Sequence, residues 1–400
     1  MKDCPQLTVK SKDVHRLTIQ IMTGMSLGLA KTKEELQTLF HVLLFAATHR
    51  WSIHQTCQTL SDTPSDVTIR NHLRVSTSDF GRLERRLNDA YARQLPKNFG
   101  RKGRRVAIDL KECPYHGVVK DEHDGEVRRS KAKSGTTHFF TYATAYAVVR
   151  GRRYTLAIYR VRRDDTMHAI LKKLLRRLSY IGFQVSLLML DRGFCSVDVI
   201  RYLQRRKQPF LMPLPKRGKK AREDGGPTGS QRLACMKTSC WLKYRMTNDK
   251  KRSVYFDVAV VCINLKGHRG NYGREALLYA TYGVSHRPLS WVKHTYKTRF
   301  GIESSYRQLG QARIKTTTQH PGLRLLFVGL SLLLRNIWVW LHIEIIPTPK
   351  RGVKTVQSPL LRFDRLLLWL QLEVLDRHPP IREIPAGRDI DEATDVFFKY

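Results

Sequence analysis

The sequence predicts an α/β protein: a mixed β-sheet with helices on both faces, interrupted by a β-rich insertion and preceded by an all-helical N-terminal region. Three observations predict it. Apolar residues recur at helical spacing through residues 31–95 and give way to strand-like runs after the basic, glycine-containing stretch Lys97–Arg105. From there the order is three strands, helix, strand, helix, strand, which a sheet covered on both sides accommodates. Finally, 112 residues separate the end of the fourth strand from an acidic residue on a later helix, too many for a minimal connection, so a separate β-rich subdomain is expected between them.

The N-terminal region holds helical patterns at Lys31–Ala47 and Phe80–Leu95. Between them, Ser52–Arg74 reads as a helix, a break at Ser61–Pro64, and a second helix opened by Ser65 or Asp66 as N-cap. That second helix would expose Thr68, Arg70, Asn71 and Arg74, residue types able to touch base edges and phosphates. The arrangement resembles a helix-turn-helix, and equally any pair of short helices in a bundle.

The sheet begins with Arg105–Leu110, which carries Asp109, followed by Thr137–Arg150 and Arg153–Val161 with Gly151 at the turn. Thr166–Ile181 is an amphipathic helix with a basic outer face. Val185–Leu190 is a continuous apolar run, as expected of a parallel strand buried on both faces, and it ends at Asp191-Arg192-Gly193-Phe194. A helix over Ser196–Lys207 and a strand over Pro209–Pro215 complete an order that is that of the ribonuclease H-like fold, in which Asp109 and Asp191 lie side by side. Strand-like runs at Cys240–Met246, Ser253–Ile263 and Ala276–Tyr282 make up the insertion. The expected division is 1–100 (helical, helix-turn-helix-like), 101–215 with 285–345 (sheet domain), 216–284 (insertion) and 346–400 (helical C-terminal segment that completes the bundle).

Composition narrows the function. The net charge is +38, from 72 Lys+Arg against 34 Asp+Glu, spread along the whole chain. Such a chain repels itself unless a polyanion is its normal partner, and nucleic acid is the default one. Seven cysteines with no C-x-x-C pair point to reduced thiols in a cytosol, and Cys235 and Cys240 lack the matching Cys/His pair of a zinc site. The N-terminus shows no apolar targeting segment. Leu323–Ile346 is apolar, but Arg324, Arg335, Asn336, His342 and Glu344 interrupt it, so it reads as a buried core helix and no membrane partner is expected.

Read as a helix, Trp291–Gly310 puts Tyr296, Arg299, Glu303, Tyr306 and Arg307 on one stripe, at offsets of 0, 3, 7, 10 and 11. One carboxylate among arginines and tyrosine hydroxyls suits a site that holds a metal on the acid and phosphates around it. Asp109 and Asp191 sit on otherwise apolar strands, where a carboxylate is costly unless paired or coordinating a metal. Either alone is more simply a turn or capping residue; together they make metal binding the better account. Asp164 or Asp165 could replace Asp109, and Glu112 could be an auxiliary acid. The loops Lys216–Lys220 and Lys266–Arg274 would add phosphate contacts, and Trp241 is more simply a core residue than a base-stacking one.

These residues resemble a DDE transposase of a prokaryotic insertion sequence, in the branch whose ribonuclease H-like domain carries a β-rich insertion. That branch marks its third acid with Tyr, two residues, Arg, three residues, Glu, six residues, Lys. Tyr296, Arg299 and Glu303 keep this spacing, while Gly310 stands at the lysine position, leaving Arg307, Arg313 or Lys315 to take its contact. The Asp191-Arg192-Gly193-Phe194 and Arg335-Asn336 contexts are similar too, and the likeness spans Arg105 to His342. The resemblance implies Asp109, Asp191 and Glu303 as catalytic metal ligands, two Mg²⁺ or Mn²⁺ ions, and cleavage at transposon ends followed by strand transfer into target DNA. It implies Tyr296, Arg299, Tyr306, Arg307, Arg192 and Lys315 at phosphates, double-stranded DNA (terminal inverted repeats and target) as partner, a homodimer on DNA, and a cytoplasmic, nucleoid-associated place. The alternatives are a catalytically silent DNA-binding derivative and a hydrolysis-only nuclease of the same fold.

Overall fold

The computed structural model describes residues 8–27, 32–120, 125–149, 153–219, 226–266, 272–347, 354–383 and 390. Among them nine strands form one mixed sheet. β1 (Arg104–Tyr115) is its centre. It pairs antiparallel with β3 (Thr136–Ala147) and parallel with β5 (Val185–Leu190). β2 (Arg128–Lys133) lines the first residues of β3 and β4 (Thr155–Val161) lines the rest. On the other side β5 pairs parallel with β6 (Phe210–Pro213). This is the mixed sheet expected from the strand and helix order.

Two strand expectations change. β1 runs five residues past Leu110, and β2 falls where no strand was expected. Its sequence, Arg-Arg-Ser-Lys-Ala-Lys, has no apolar alternation because most of its positions face solvent at a sheet edge. The larger change concerns the insertion. β7 (Cys240–Thr247), β8 (Ser253–Lys266) and β9 (Tyr272–Tyr282) do not form a sheet of their own. β9 pairs antiparallel with β6, so the sheet continues from β6 through β9 and β8 to β7. Strand pairing is a non-local choice that chain separation does not reveal.

Local sequence explains the helices. Five precede the sheet: α1 (Ser11–Thr23), α2 (Lys33–His49), α3 (Ile53–Cys57), α4 (Asp66–Ser76) and α5 (Phe80–Arg93). Thr32 and Ser52 close capping boxes with Glu35 and Gln55, and the Ser65 hydroxyl accepts from the backbone N–H of Thr68, so Ser65 is the cap of α4. Thr166 and Ser196 cap α6 (Met167–Tyr180) and α7 (Val197–Arg205) in the same way. The short α8 (Gly229–Ala234) precedes the inserted strands.

The apolar stretch after the acidic helix is α11 (Pro321–Trp340), continued by a wide turn over Leu341–Ile345. It is long and apolar enough to cross a membrane, but 94% of its most apolar 18 residues are buried inside the protein. Its Asn336 side chain accepts from the backbone N–H of Thr155 and donates to the Thr155 carbonyl, both at 2.9 Å, fixing the start of β4. α5 packs on α11 and β4, with Asn88 bonded to both backbone groups of Ile158 at 2.8 and 2.9 Å. Residues 1–100 are therefore not set apart from the sheet: α5 is one of its covering helices. α12 (Phe363–Leu375) packs on α1 and α2, and Leu60 bridges Pro380. The C-terminal segment thus closes the N-terminal bundle.

Candidate active site

The register of β1 against β5 pairs Ile108 with Leu190, which puts Asp109 and Asp191 next to each other at adjoining strand positions. Each is anchored by its own backbone. Asp109 Oδ1 accepts the N–H of Leu110 at 3.0 Å, and Asp191 Oδ2 accepts the N–H of Gly193 at 3.3 Å, opening the turn Arg192–Phe194. Asp191 is thus both a turn residue and half of an acid pair.

The stripe 296–307 is helical with a tight 3₁₀ turn, Thr298–Phe300, between α9 (Leu289–Lys297) and α10 (Gly301–Gln311). That turn aims Arg299 at the acid pair. Arg299 Nη2 donates to Asp191 Oδ1 at 2.7 Å, and Nη1 lies 3.6 Å from Asp109 Oδ2. The Arg299 side chain is only 7% exposed, against 19% for Asp109 and 47% for Asp191. Its Nε donates to the Tyr296 hydroxyl at 2.9 Å, which itself donates to the Leu190 carbonyl at 3.2 Å. Burial works against the Arg299 charge, but Tyr296, Asp109 and Asp191 outweigh it and hold its pKa above the ordinary arginine value. Burial pushes the Tyr296 phenol up to about 12.

These contacts revise two expected roles. Tyr296 and Tyr306 were expected at phosphates. Tyr296 is buried and braces Arg299 against the end of β5. Its ring packs 5.3 Å from that of Tyr279 on β9, so an inserted strand supports the site. The Tyr306 hydroxyl lies 2.7 Å from Thr144 Oγ1, and Thr144 is the cross-strand partner of Asp109. Hydroxyl chemistry alone does not reveal a partner in the fold. Glu303 lies on α10, but its side chain is outside the described residues. Arg307 on the same helix and Arg192 beside Asp191 are exposed.

Lys111 belongs to no sequence motif, yet it lies beside the acid pair. It shares a strand face with Asp109, two residues on, and its ammonium sits 5.4 Å over the Tyr306 ring. The alternation in β1 could have found it. A Cβ at Gly310 would meet nothing within 4 Å, so that position faces open space. Two of the competing acids are occupied elsewhere. Asp165 accepts from the Tyr159 hydroxyl at 2.6 Å and from the N–H of Arg162 at 2.7 Å. Glu112 points to the opposite strand face and pairs with Lys133 at 2.7 Å. Among the described residues no three acids, histidines or cysteines gather at a metal-binding distance, and every described cysteine is free.

A second basic feature lies between α4 and the segment after α10. Arg70 and Arg74 share one cleft with His116, Arg313 and Lys315. Arg70 is also paired with Asp66 at 2.5 Å, while Asn71 is exposed outside the cleft. Trp241 donates to the Arg287 carbonyl at 3.2 Å, a structural contact. Of the two expected phosphate loops, 220–225 and 267–271 lie outside the described residues.

Comparison with known proteins adds three findings. The family profile for the transposase DDE domain matches residues 104–330. A piggyBac transposase, solved by cryo-EM in a synaptic complex with hairpin DNA, is structurally similar with a TM-score of 0.50. The two are 12% identical, and the match covers 100% of this chain and 86% of that one, a likeness of fold. No curated protein matches the sequence.

Proposed function

This chain belongs to the transposase DDE domain family, and from that premise we propose that it is a DNA transposase of the prokaryotic insertion-sequence type, cutting at transposon ends and joining them to target DNA. The observation that carries this reading is the acid pair: Asp109 in the middle of β1 and Asp191 just past the end of β5 meet where the parallel pairing stops, beside a helix that carries Glu303. An all-oxygen, carboxylate donor set fits hard cations, and the half-exposed Asp191 gives substrate a way to the pair. Asp109, Asp191 and Glu303 would hold Mg²⁺ or Mn²⁺, with two ions expected. When bound, the ions supply Lewis-acid stabilisation of charge at the attacking and leaving oxygens.

The chain's own residues do the rest. Tyr296 and Thr144, through Tyr306, keep β5 and β3 from shifting beside the acids. Lys111 and Arg192 offer cations on either side of the pair for the phosphates that flank the scissile bond, and Lys111 stands in for the lysine that Gly310 lacks. Arg307 extends that charge along α10. Arg70, Arg74 and Lys315 hold duplex DNA between α4 and the segment after α10, and Asn71 reaches it from the exposed face of α4 outside that cleft, consistent with the net charge of +38. Paired end cleavage calls for a homodimer on DNA, working at the nucleoid in the cytoplasm.

The test is a labelled duplex carrying the element's terminal repeat, incubated with the protein and Mg²⁺ or Mn²⁺ beside a Glu303→Ala variant. Nicking at the repeat boundary and joining to a second DNA, both absent in the variant, are expected. Binding without cleavage by either protein would instead identify a silent DNA-binding derivative. Nicking without joining would identify a nuclease, and cleavage by the variant would mean that the active site lies elsewhere.

A further inference from the structure

Arg299 is placed unlike a residue that waits for substrate. It is buried and touches both aspartates, and it is fixed from behind by Tyr296. Two carboxylates on adjoining strand positions repel each other, and a positive charge between them is the simplest way to hold them together. Resting on the reading of Asp109 and Asp191 as metal ligands, we propose that Arg299 is the built-in counter-cation of the acid pair and that it sets how tightly the pair binds a divalent ion. Arg299 is then a positioning residue in competition with the metal, before any DNA arrives.

The sign of its effect follows from the contacts. Removing the guanidinium takes away a positive charge within 4 Å of both ligands, which favours an incoming cation. It also removes one fixed point from each carboxylate, which disfavours binding. The second loss is the smaller one, because Asp109 keeps its bond from Leu110 and Asp191 keeps its bond from Gly193. The Coulombic gain therefore wins, and metal affinity rises when the arginine is removed. A residue used only to grip phosphate would leave metal affinity in the absence of DNA unchanged.

The experiment titrates Mn²⁺ into the full chain without DNA, by calorimetry, for wild type, Arg299→Gln, Arg299→Lys, Tyr296→Phe and Asp191→Asn. Thermal unfolding in chelator reports whether each variant is folded. Arg299→Gln is expected to bind Mn²⁺ on the order of tenfold more tightly. Arg299→Lys, which keeps the charge, should bind as wild type. Tyr296→Phe leaves the arginine in place but unbraced, and should fall between, which decides the matter should Arg299→Gln not fold. Unchanged or weaker binding in both Arg299→Gln and Tyr296→Phe overturns the inference alone. Wild-type binding that Asp191→Asn does not reduce overturns the metal reading beneath it.

Discussion

Acidification should loosen the helical bundle through a buried histidine cluster. His15 on α1, His41 on α2 and His378 beyond α12 are all nearly inaccessible. His41 Nδ1 lies 3.0 Å from His378 Nε2, and the rings of His15 and His41 are 5.1 Å apart. Among the described residues neither ring nitrogen of His15 has a hydrogen-bond partner. Burial, followed by Arg377, lowers His15 to about 4 despite the opposing charge of Glu373. Burial, followed by the other two histidines and Arg377, lowers His41 to about 3. Both are thus neutral when folded, whereas the unfolded chain takes up a proton on each below about 6.5. Stability is therefore lost as pH falls, at roughly 1.4 kcal/mol per unit per group, or about 2 kcal/mol each between pH 7.5 and 5. The pair together contributes about 4 kcal/mol, a large part of a typical domain stability. Glu84, which burial pushes up to about 7, acts in the opposite sense, and His378, His49 and His342 act in the same sense as the pair. Comparing wild type with His15→Leu/His41→Leu cancels those groups. Urea unfolding of both proteins at pH 7.5 and 5 should show the variant losing about 4 kcal/mol less than wild type. Equal losses would refute the assignment of neutral, buried imidazoles.

Two glycines should respond in opposite directions. A Cβ at Gly322 would lie 2.1 Å from the Thr77 carbonyl oxygen, a backbone atom at the end of α4, so Gly322→Ala should cost about 1–3 kcal/mol in thermal unfolding. Gly310 sits in helical backbone with open space around it, so Gly310→Ala should stabilise by about 0.5–1 kcal/mol in the same assay. In the basic cleft, Arg74→Ala and Lys315→Ala should each weaken duplex binding and reduce the slope of log affinity against log salt by about 0.9, as the loss of one phosphate contact requires. An unchanged slope would place the DNA elsewhere.

The acid pair was legible in the sequence for a physical reason. Asp109 interrupts and Asp191 directly follows an apolar run whose burial dictates a strand, so each carboxylate is visible as a cost that the fold must offset. The cap of α4 was legible because capping is local. What escaped was non-local. β2 carries charge where a strand signal carries alternation. The three histidines are brought together from residues up to 363 positions apart. Tyr296 and Tyr306 had the right spacing but not the right contacts, because spacing fixes a face and leaves the partners open. The inserted strands show most clearly what this hides. Taken as a separate unit, they would be an appendage to the chemistry. Joined through β9 to β6, they place Tyr279 behind Tyr296, Tyr296 behind Arg299, and Arg299 on both aspartates. The inserted strands thus reach the acid pair through three side chains, and they belong to the candidate site as much as the strands that carry the acids.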